Sequence, residues 1–216
     1  MTEVPELSAA FNELLDEVRA IEKKLLSTQP ALPEADLLDG YRLMFSLLRV
    51  TVDAYVWGDR DNPILVDVIG PYLKWGGDNS DAYYQLAPLD PKRTYRVTGN
   101  RGDAVYLSMT VYGGPGGGQY SNRIVGTMNS RSLEFDRDGN FEFMLSPDPQ
   151  AGAWLRLDDD AEFALTRDYL TEPVTGRRPQ WTIQAIDPPA RRHDSPEDLT
   201  RRLRSAKTWL REQVSF

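Results

Sequence analysis

Residues 72–114 read YLKWGGDNSDAYYQLAPLDPKRTYRVTGNRGDAVYLSMTVYGG. From Tyr83 onward the apolar residues recur with a period of two, in the runs 83–86, 94–98 and 105–112, and the joints LDPKR and NRGD are turn-rich. Alternation places successive side chains on opposite faces of a strand, and Pro, Gly, Asn and Asp supply the dihedral angles of tight turns. Toward the C-terminus the pattern recurs at Ile124–Met128, Leu133–Phe135, Phe141–Leu145, Trp154–Leu157, Phe163–Tyr169 and Trp181–Ile186. GGPGGG, DRDGN and SPDPQAG connect these runs. About nine short strands with turns between them predict an antiparallel sandwich or barrel. A parallel sheet would need helix-length crossovers, and these joints leave no room for them.

Toward the N-terminus the period changes. Leu7, Phe11, Leu14, Val18, Ile21 and Leu25 alternate by four and three, which predicts an amphipathic helix from about Glu6 to Ser27. TQPALPE breaks it with two prolines, and a second helix runs to about Trp57 with Leu38, Tyr41, Phe45, Leu48, Val52 and Tyr55 as its stripe. The pair reads as a helical hairpin whose stripes pack on the body of the chain, making Phe45 and Leu48 core residues; a homodimer through these helices is the alternative. The last segment is helical again. Ser195 and Asp198 form a capping box with Pro196 at the first helical position, and Leu199, Leu203, Ala206, Leu210 and Val214 give the stripe. Its other side carries Arg201, Arg202, Arg204, Lys207 and Arg211, a basic face suited to the acid-rich N-terminal helices. The expected organisation is a helical hairpin and connector over 1–70, a β-sandwich over 71–190, and a basic amphipathic helix over 191–216 packed on the body.

Composition narrows the function. The chain has 216 residues, no cysteine, and 25 Lys and Arg against 33 Asp and Glu, a net charge of −8. Disulfide and thiolate chemistry are excluded, and an acidic globule makes a poor partner for nucleic acid or an anionic membrane. Acids stand near the start where a secretory leader needs basic and then apolar residues, and no run approaches the roughly twenty apolar residues of a membrane helix. The expectation is a cytoplasmic protein.

Chemistry-bearing motifs are few. The one histidine, His193, lies in the polar linker DPPARRHDSPE, which lacks the packed surroundings that a general base needs. With one His and no Cys, the usual zinc sites are excluded, and neither a metal nor a cofactor is expected. DRDGN imitates part of a calcium loop, but Leu145 would stand where the bidentate Glu belongs, so it reads as a hairpin turn. GGPGGG lacks the GK[ST] ending of a phosphate loop and leads into a strand; it reads as a long hairpin connection. Asp158, Asp159 and Asp160 read as a solvated turn. There remain Trp75, Asp78, Asn79, Asp81, Tyr83 and Tyr84 behind the flexible pair Gly76–Gly77. Aromatic faces beside acids and amides suit a small organic ligand, and two carboxylates three residues apart would do acid–base work if burial split their pKa values. The plainer reading is a capped loop in which Asp and Asn bond their own backbone and Trp75 plugs a sandwich end. The expected site is one concave end of the sandwich, lined by these residues and joined by Arg131 and Arg167, with Asp78, Asp81 and Tyr84 as catalytic candidates.

At these residues, and again in TYRVTGNRGDAVYLSMTVYGG, MNSRSLEFDRDGNFEFMLS and AWLRL…FALTRDYL, the chain resembles the bacterial domain-of-unknown-function 1214 family, over about Leu73 to Ile186. The resemblance implies a jelly-roll-like β-sandwich. It transfers no catalytic residues. Members often stand beside a second domain in envelope proteins, but neither that domain nor a leader is read here. Three functions stay open: a non-enzymatic, accessory small-molecule binder as the leading one, a cofactor-independent lyase, isomerase or hydrolase using Asp and Tyr, and an oligomerising scaffold.

Overall fold

The period-two runs build nine strands: β1 (Val66–Ile69), β2 (Ala82–Pro88), β3 (Tyr95–Asn100), β4 (Ala104–Gly113), β5 (Arg123–Asn129), β6 (Asn140–Ser146), β7 (Trp154–Arg156), β8 (Ala161–Leu170) and β9 (Gln180–Ala185). In this computed structural model the described residues are 3–27, 32–186, 188 and 195–214. Five strands form one sheet in the order β1-β2-β8-β4-β5 and four form another in the order β7-β6-β3-β9. The protein is mainly β with helices at both ends of the chain. All neighbours are antiparallel except β6 and β7, which run parallel, so the second sheet is mixed where an antiparallel one is expected. Leu133–Phe135 is also not a strand. Leu133 turns its amide back to the Asn129 carbonyl and buries its side chain, so its apolar character serves the core and no ladder. In its place stands β1, outside the expected runs.

The two sheets share one core. Leu107, Met109 and Val111 of β4, with Ala164 of β8, are buried in the same cluster as Tyr95 and Val97 of β3 and Phe141, Phe143 and Leu145 of β6. Register fixes which residues these are. Val111 pairs with Ala164 and Ala87 with Ala164, while Val97 pairs with Phe143 and Ile183, so each apolar row crosses its sheet on one face. Tyr95 is fully buried, with its hydroxyl accepting from the Asp90 amide and donating to the Arg60 carbonyl, both at 2.7 Å. Burial pushes its phenol well above the ordinary range. Tyr95→Phe is expected to cost about 1–3 kcal/mol by orphaning two backbone groups at once, a loss that denaturant titration would register.

The chain divides into two units: one comprises Met1–Trp57, Gly117–Tyr120 and His193–Phe216, the other Gly58–Gly116 and Ser121–Arg192. In the first, α1 (Glu3–Glu22) continues into a π-helical turn at Lys23–Ser27, and α2 (Glu34–Val50) into another at Thr51–Val56. α3 (Pro196–Glu212) is capped by the Ser195 hydroxyl, which accepts from the Asp198 amide at 3.1 Å. It lies against α1, where Lys207 pairs with Glu13 and Arg211 with Glu17, and its Trp209 ring meets Tyr55 at 5.5 Å. The Gly-rich segment contributes to this unit. Gly118 has φ +88°, and a Cβ there would sit 2.0 Å from the Ser205 carbonyl oxygen, so only glycine brings the loop onto the α3 backbone. α2 corrects the expected stripe. Met44, Leu47, Val50 and Ala54 are buried, Leu48 is half-buried, and Phe45 is 70% exposed. Both faces of this helix are apolar, and spacing alone cannot choose between them.

Candidate functional site

The loop before β2 folds on itself. Trp75 is half-buried and donates its indole N–H to the Val68 carbonyl, pinning the loop to β1. The Asn79 side-chain oxygen accepts from the Asp81 amide at 2.8 Å, an Asx turn. Asp78 accepts from Lys74 at 3.2 Å, Asp81 accepts from the Ser80 hydroxyl at 3.2 Å, and both acids are exposed. These local bonds account for the polar residues of the loop without any ligand.

Strand alternation then separates Tyr83 from Tyr84. Tyr83 pairs across to Asp168 and Tyr84 lies in the row of Arg167, so the two rings leave β2 on opposite faces. Arg131 sits exposed in the turn after β5, where its amide bonds the Asn129 side chain at 2.9 Å. The expected convergence on one sandwich end is therefore corrected. Of the eight residues, Tyr84 and Arg167 are brought together; Trp75, Asp78, Asn79 and Asp81 stay in their loop, Tyr83 faces the other way, and Arg131 stands apart. His193 lies outside the described residues.

Around Arg167 the sheet presents a polar-aromatic surface on the face turned away from the second sheet. The guanidinium donates to the Tyr112 hydroxyl at 2.6 Å and to the Thr110 hydroxyl at 3.5 Å, and it lies 5.3 Å from the Tyr84 ring centroid and 5.7 Å from that of Tyr112. Tyr112 stacks on Phe163 at 5.2 Å, and Thr110 shares a hydrogen bond with Thr127 at 3.1 Å. Tyr84 is buried and its hydroxyl bonds Tyr169; burial first, then that bond, push its pKa up to about 12, so it stays a neutral phenol. Tyr112, Thr110 and Tyr169 were not among the expected residues. The signal was present: in VYLSMTVY the positions alternating with the core are Tyr106, Ser108, Thr110 and Tyr112, and in EFALTRDY they are Phe163, Leu165, Arg167 and Tyr169. The polar half of each strand carried it.

On the opposite face of β8 lies Asp168, 0% exposed. Both its oxygens accept from the Trp181 indole N–H, at 2.9 and 3.1 Å. Beside it Arg178 forks onto Asp67 at 2.7 and 3.1 Å and covers the Tyr83 ring at 3.7 Å, while Gln85 donates to Asp67 at 3.0 Å. Burial raises the Asp168 carboxyl to about 7, and the Trp181 bond offsets only part of that. Being next in sequence to Arg167, Asp168 points away from it and cannot share a substrate with it. Elsewhere Asp136 takes up the amides of Asp138 and Asn140 in the DRDGN turn, and its carboxyl is held low by Asn140; no cluster of metal-ligating residues occurs among the described residues. The helical unit has its own groove of about 410 Å³, lined by Glu6, Gly117, Arg201, Arg204 and Thr208 among others, whose acids and arginines favour no single ligand charge.

Comparison with known proteins agrees with the residues quoted above. Residues 80–173 match the family model described as a protein of unknown function (DUF1214), so the resemblance to that family holds from the loop before β2 through β8. A crystal structure of an uncharacterized protein from Burkholderia cenocepacia is similar over 99% of this chain, with 29% identity and a TM-score of 0.84. The present chain spans 60% of that protein's length. A crystal structure of a protein from Vibrio parahaemolyticus matches over 74% of this chain and 47% of its own, with 16% identity and a TM-score of 0.38. No curated protein matches the sequence. No helix among the described residues is long and apolar enough to cross a membrane.

Proposed function

We propose that this chain binds a small organic anion through Arg167, between the rings of Tyr84 and Tyr112, in an accessory and non-enzymatic role. The observation that carries this reading is the electrostatic state of Arg167. It is partly buried, its bonds go to the hydroxyls of Tyr112, Thr110 and Tyr84, and among the described residues no carboxylate pairs with it. A cation withdrawn from water without a counter-charge is costly, and a ligand carboxylate or phosphate received by its fork would supply that charge. The phenols and Phe163 offer flat apolar surface for the organic part of such a ligand. A jelly-roll-like sandwich is the fold we read around this site, supported by two sheets on one core whose neighbouring strands, β2 with β8 and β3 with β9, are distant in sequence.

An enzyme at this surface has less support. Asp168, the carboxyl raised to about 7, lies on the other face of β8, and the exposed Asp78 and Asp81 are engaged within their loop. The test is calorimetry against a panel of aliphatic and aromatic carboxylates and phosphate esters, with their neutral amides and alcohols as controls. Salt-sensitive binding of the anions is expected, weakened by more than about tenfold in Arg167→Gln and less in Tyr112→Phe. Equal binding of the neutral analogues, or full affinity in Arg167→Gln, sinks the assignment.

A further inference from the structure

α2 carries two apolar faces and buries one. On the other, Leu38, Tyr41 and Phe45 are exposed by 53, 40 and 70%, with half-buried Leu48 beside them, and Val52, 38% exposed in the π-helical turn that follows, extends the row. Single exposed apolar side chains are ordinary, but a continuous helical stripe led by an aromatic is not. The steps between these residues alternate by three and four, the spacing of a seam that packs against another helix. We propose that this stripe is the interface between two copies of the chain, packed antiparallel about a two-fold axis at Phe45.

Three features select a second copy as the occupant. The stripe is symmetric about its middle: Leu38 and Val52 stand one heptad on either side of Phe45, so the two-fold sets Leu38 on the copy's Val52, Tyr41 near its Leu48, and Phe45 on itself. The rim is also self-complementary. Arg42 pairs with Asp39 at 2.9 Å and Arg49 with Asp53 at 3.6 Å along one flank, and reversing that flank brings Arg49 of one copy beside Asp39 of the other. A rim of both signs gives a strongly acidic or basic partner nothing to select. The area is of the right order as well: five apolar side chains with these exposures present on the order of a few hundred Å², so two stripes with their rims come to about the 1,000 Å² in total that a specific interface requires. This inference is independent of the Arg167 site.

The test is sedimentation equilibrium of the full chain from low to high micromolar concentration, with Phe45→Asp beside the parent. The parent is expected to double in mass as concentration rises, and Phe45→Asp to weaken self-association by more than about 30-fold, the effect of losing a central hot spot. Phe45 is too exposed to support the fold of one copy, so the variant's melting temperature at dilution should equal the parent's. Because the chain has no cysteine, Phe45→Cys gives a second readout. A residue on the two-fold meets its own copy and should form a covalent dimer on mild oxidation, whereas Phe11→Cys, exposed on α1 and not on the proposed two-fold, should not. A parent that stays monomeric throughout, including one whose stripe binds a different protein, overturns the proposal. So does a dimer indifferent to Phe45→Asp, or one that crosslinks equally well through Phe11→Cys.

Discussion

Phe143→Ala should lower the free energy of unfolding by about 3–5 kcal/mol, a large share of what holds a domain of this size together. Phe143 lies in the middle of β6, is buried, and opposes Val97 in the ladder. It belongs to the cluster in which Leu107 and Met109 of the first sheet meet Tyr95 and Leu145 of the second, so truncation removes contacts from both layers. Strands paired on each side limit how far the backbone can move to close the gap, which places the cost toward the upper end. Phe45→Ala is the internal control. The residue type and the substitution are the same, but at 70% exposure little apolar area leaves water when the chain folds, and the change in dilute solution should stay within about 0.5 kcal/mol. Urea titrations of the two variants and the parent would decide the matter. Similar losses at the two positions would contradict the burial assigned to them.

That contrast also marks how far the sequence could be read. Within strands, alternation tells which residues share a face, and one face of β4 and β6 is plainly more apolar than the other, so the core positions were legible. In α2 both faces are apolar, and hydropathy carries no information about which one is buried. The turn at Asp136 was legible for a similar reason: an Asp two residues before another Asp and three before a Gly has a local solution, and the Asp136 side chain does cap its own hairpin. The candidate site was harder to read. Clustering along the chain pointed to 75–84, but a site on a sheet is assembled across strands. Tyr84, Arg167, Thr110 and Tyr112 come from three strands brought side by side by the β2–β8 and β4–β8 registers. No local spacing encodes that juxtaposition. Asp168 is the extreme case, since its character depends on burial and on Trp181 of the opposite sheet, which no neighbour in sequence announces.

Asp168→Asn is accordingly expected to stabilise the protein at alkaline pH while removing part of its pH dependence. In the folded chain burial raises this carboxyl from 3.8 to about 7, whereas in the unfolded chain it titrates near its ordinary value. Between those values the folded state holds a proton that the unfolded state has released. Stability from the neutral acid is thus fully present below about pH 4 and is lost as pH rises through about 7. At 1.36 kcal/mol per pKa unit the full penalty approaches about 4 kcal/mol, an upper bound for a group whose surroundings can relax. Asparagine keeps an oxygen for the Trp181 indole but adds an amide that needs an acceptor beside Asp67 and Arg178, which offsets part of the gain. The expected net is about 1–3 kcal/mol in favour of Asp168→Asn at pH 8, shrinking to nothing or reversing near pH 4. Carboxylates held low by partners, such as Asp103 with Arg177 and Asp160 with Arg123, lose their contribution only as pH falls through their depressed values, and they are common to both proteins. The difference between parent and variant therefore isolates Asp168. Denaturant titrations of both from pH 4 to pH 8 are the measurement. If their difference is flat with pH, Asp168 is ionised in the folded protein, and its charge must then be held by Trp181 and Arg178 together instead of being neutralised by a proton.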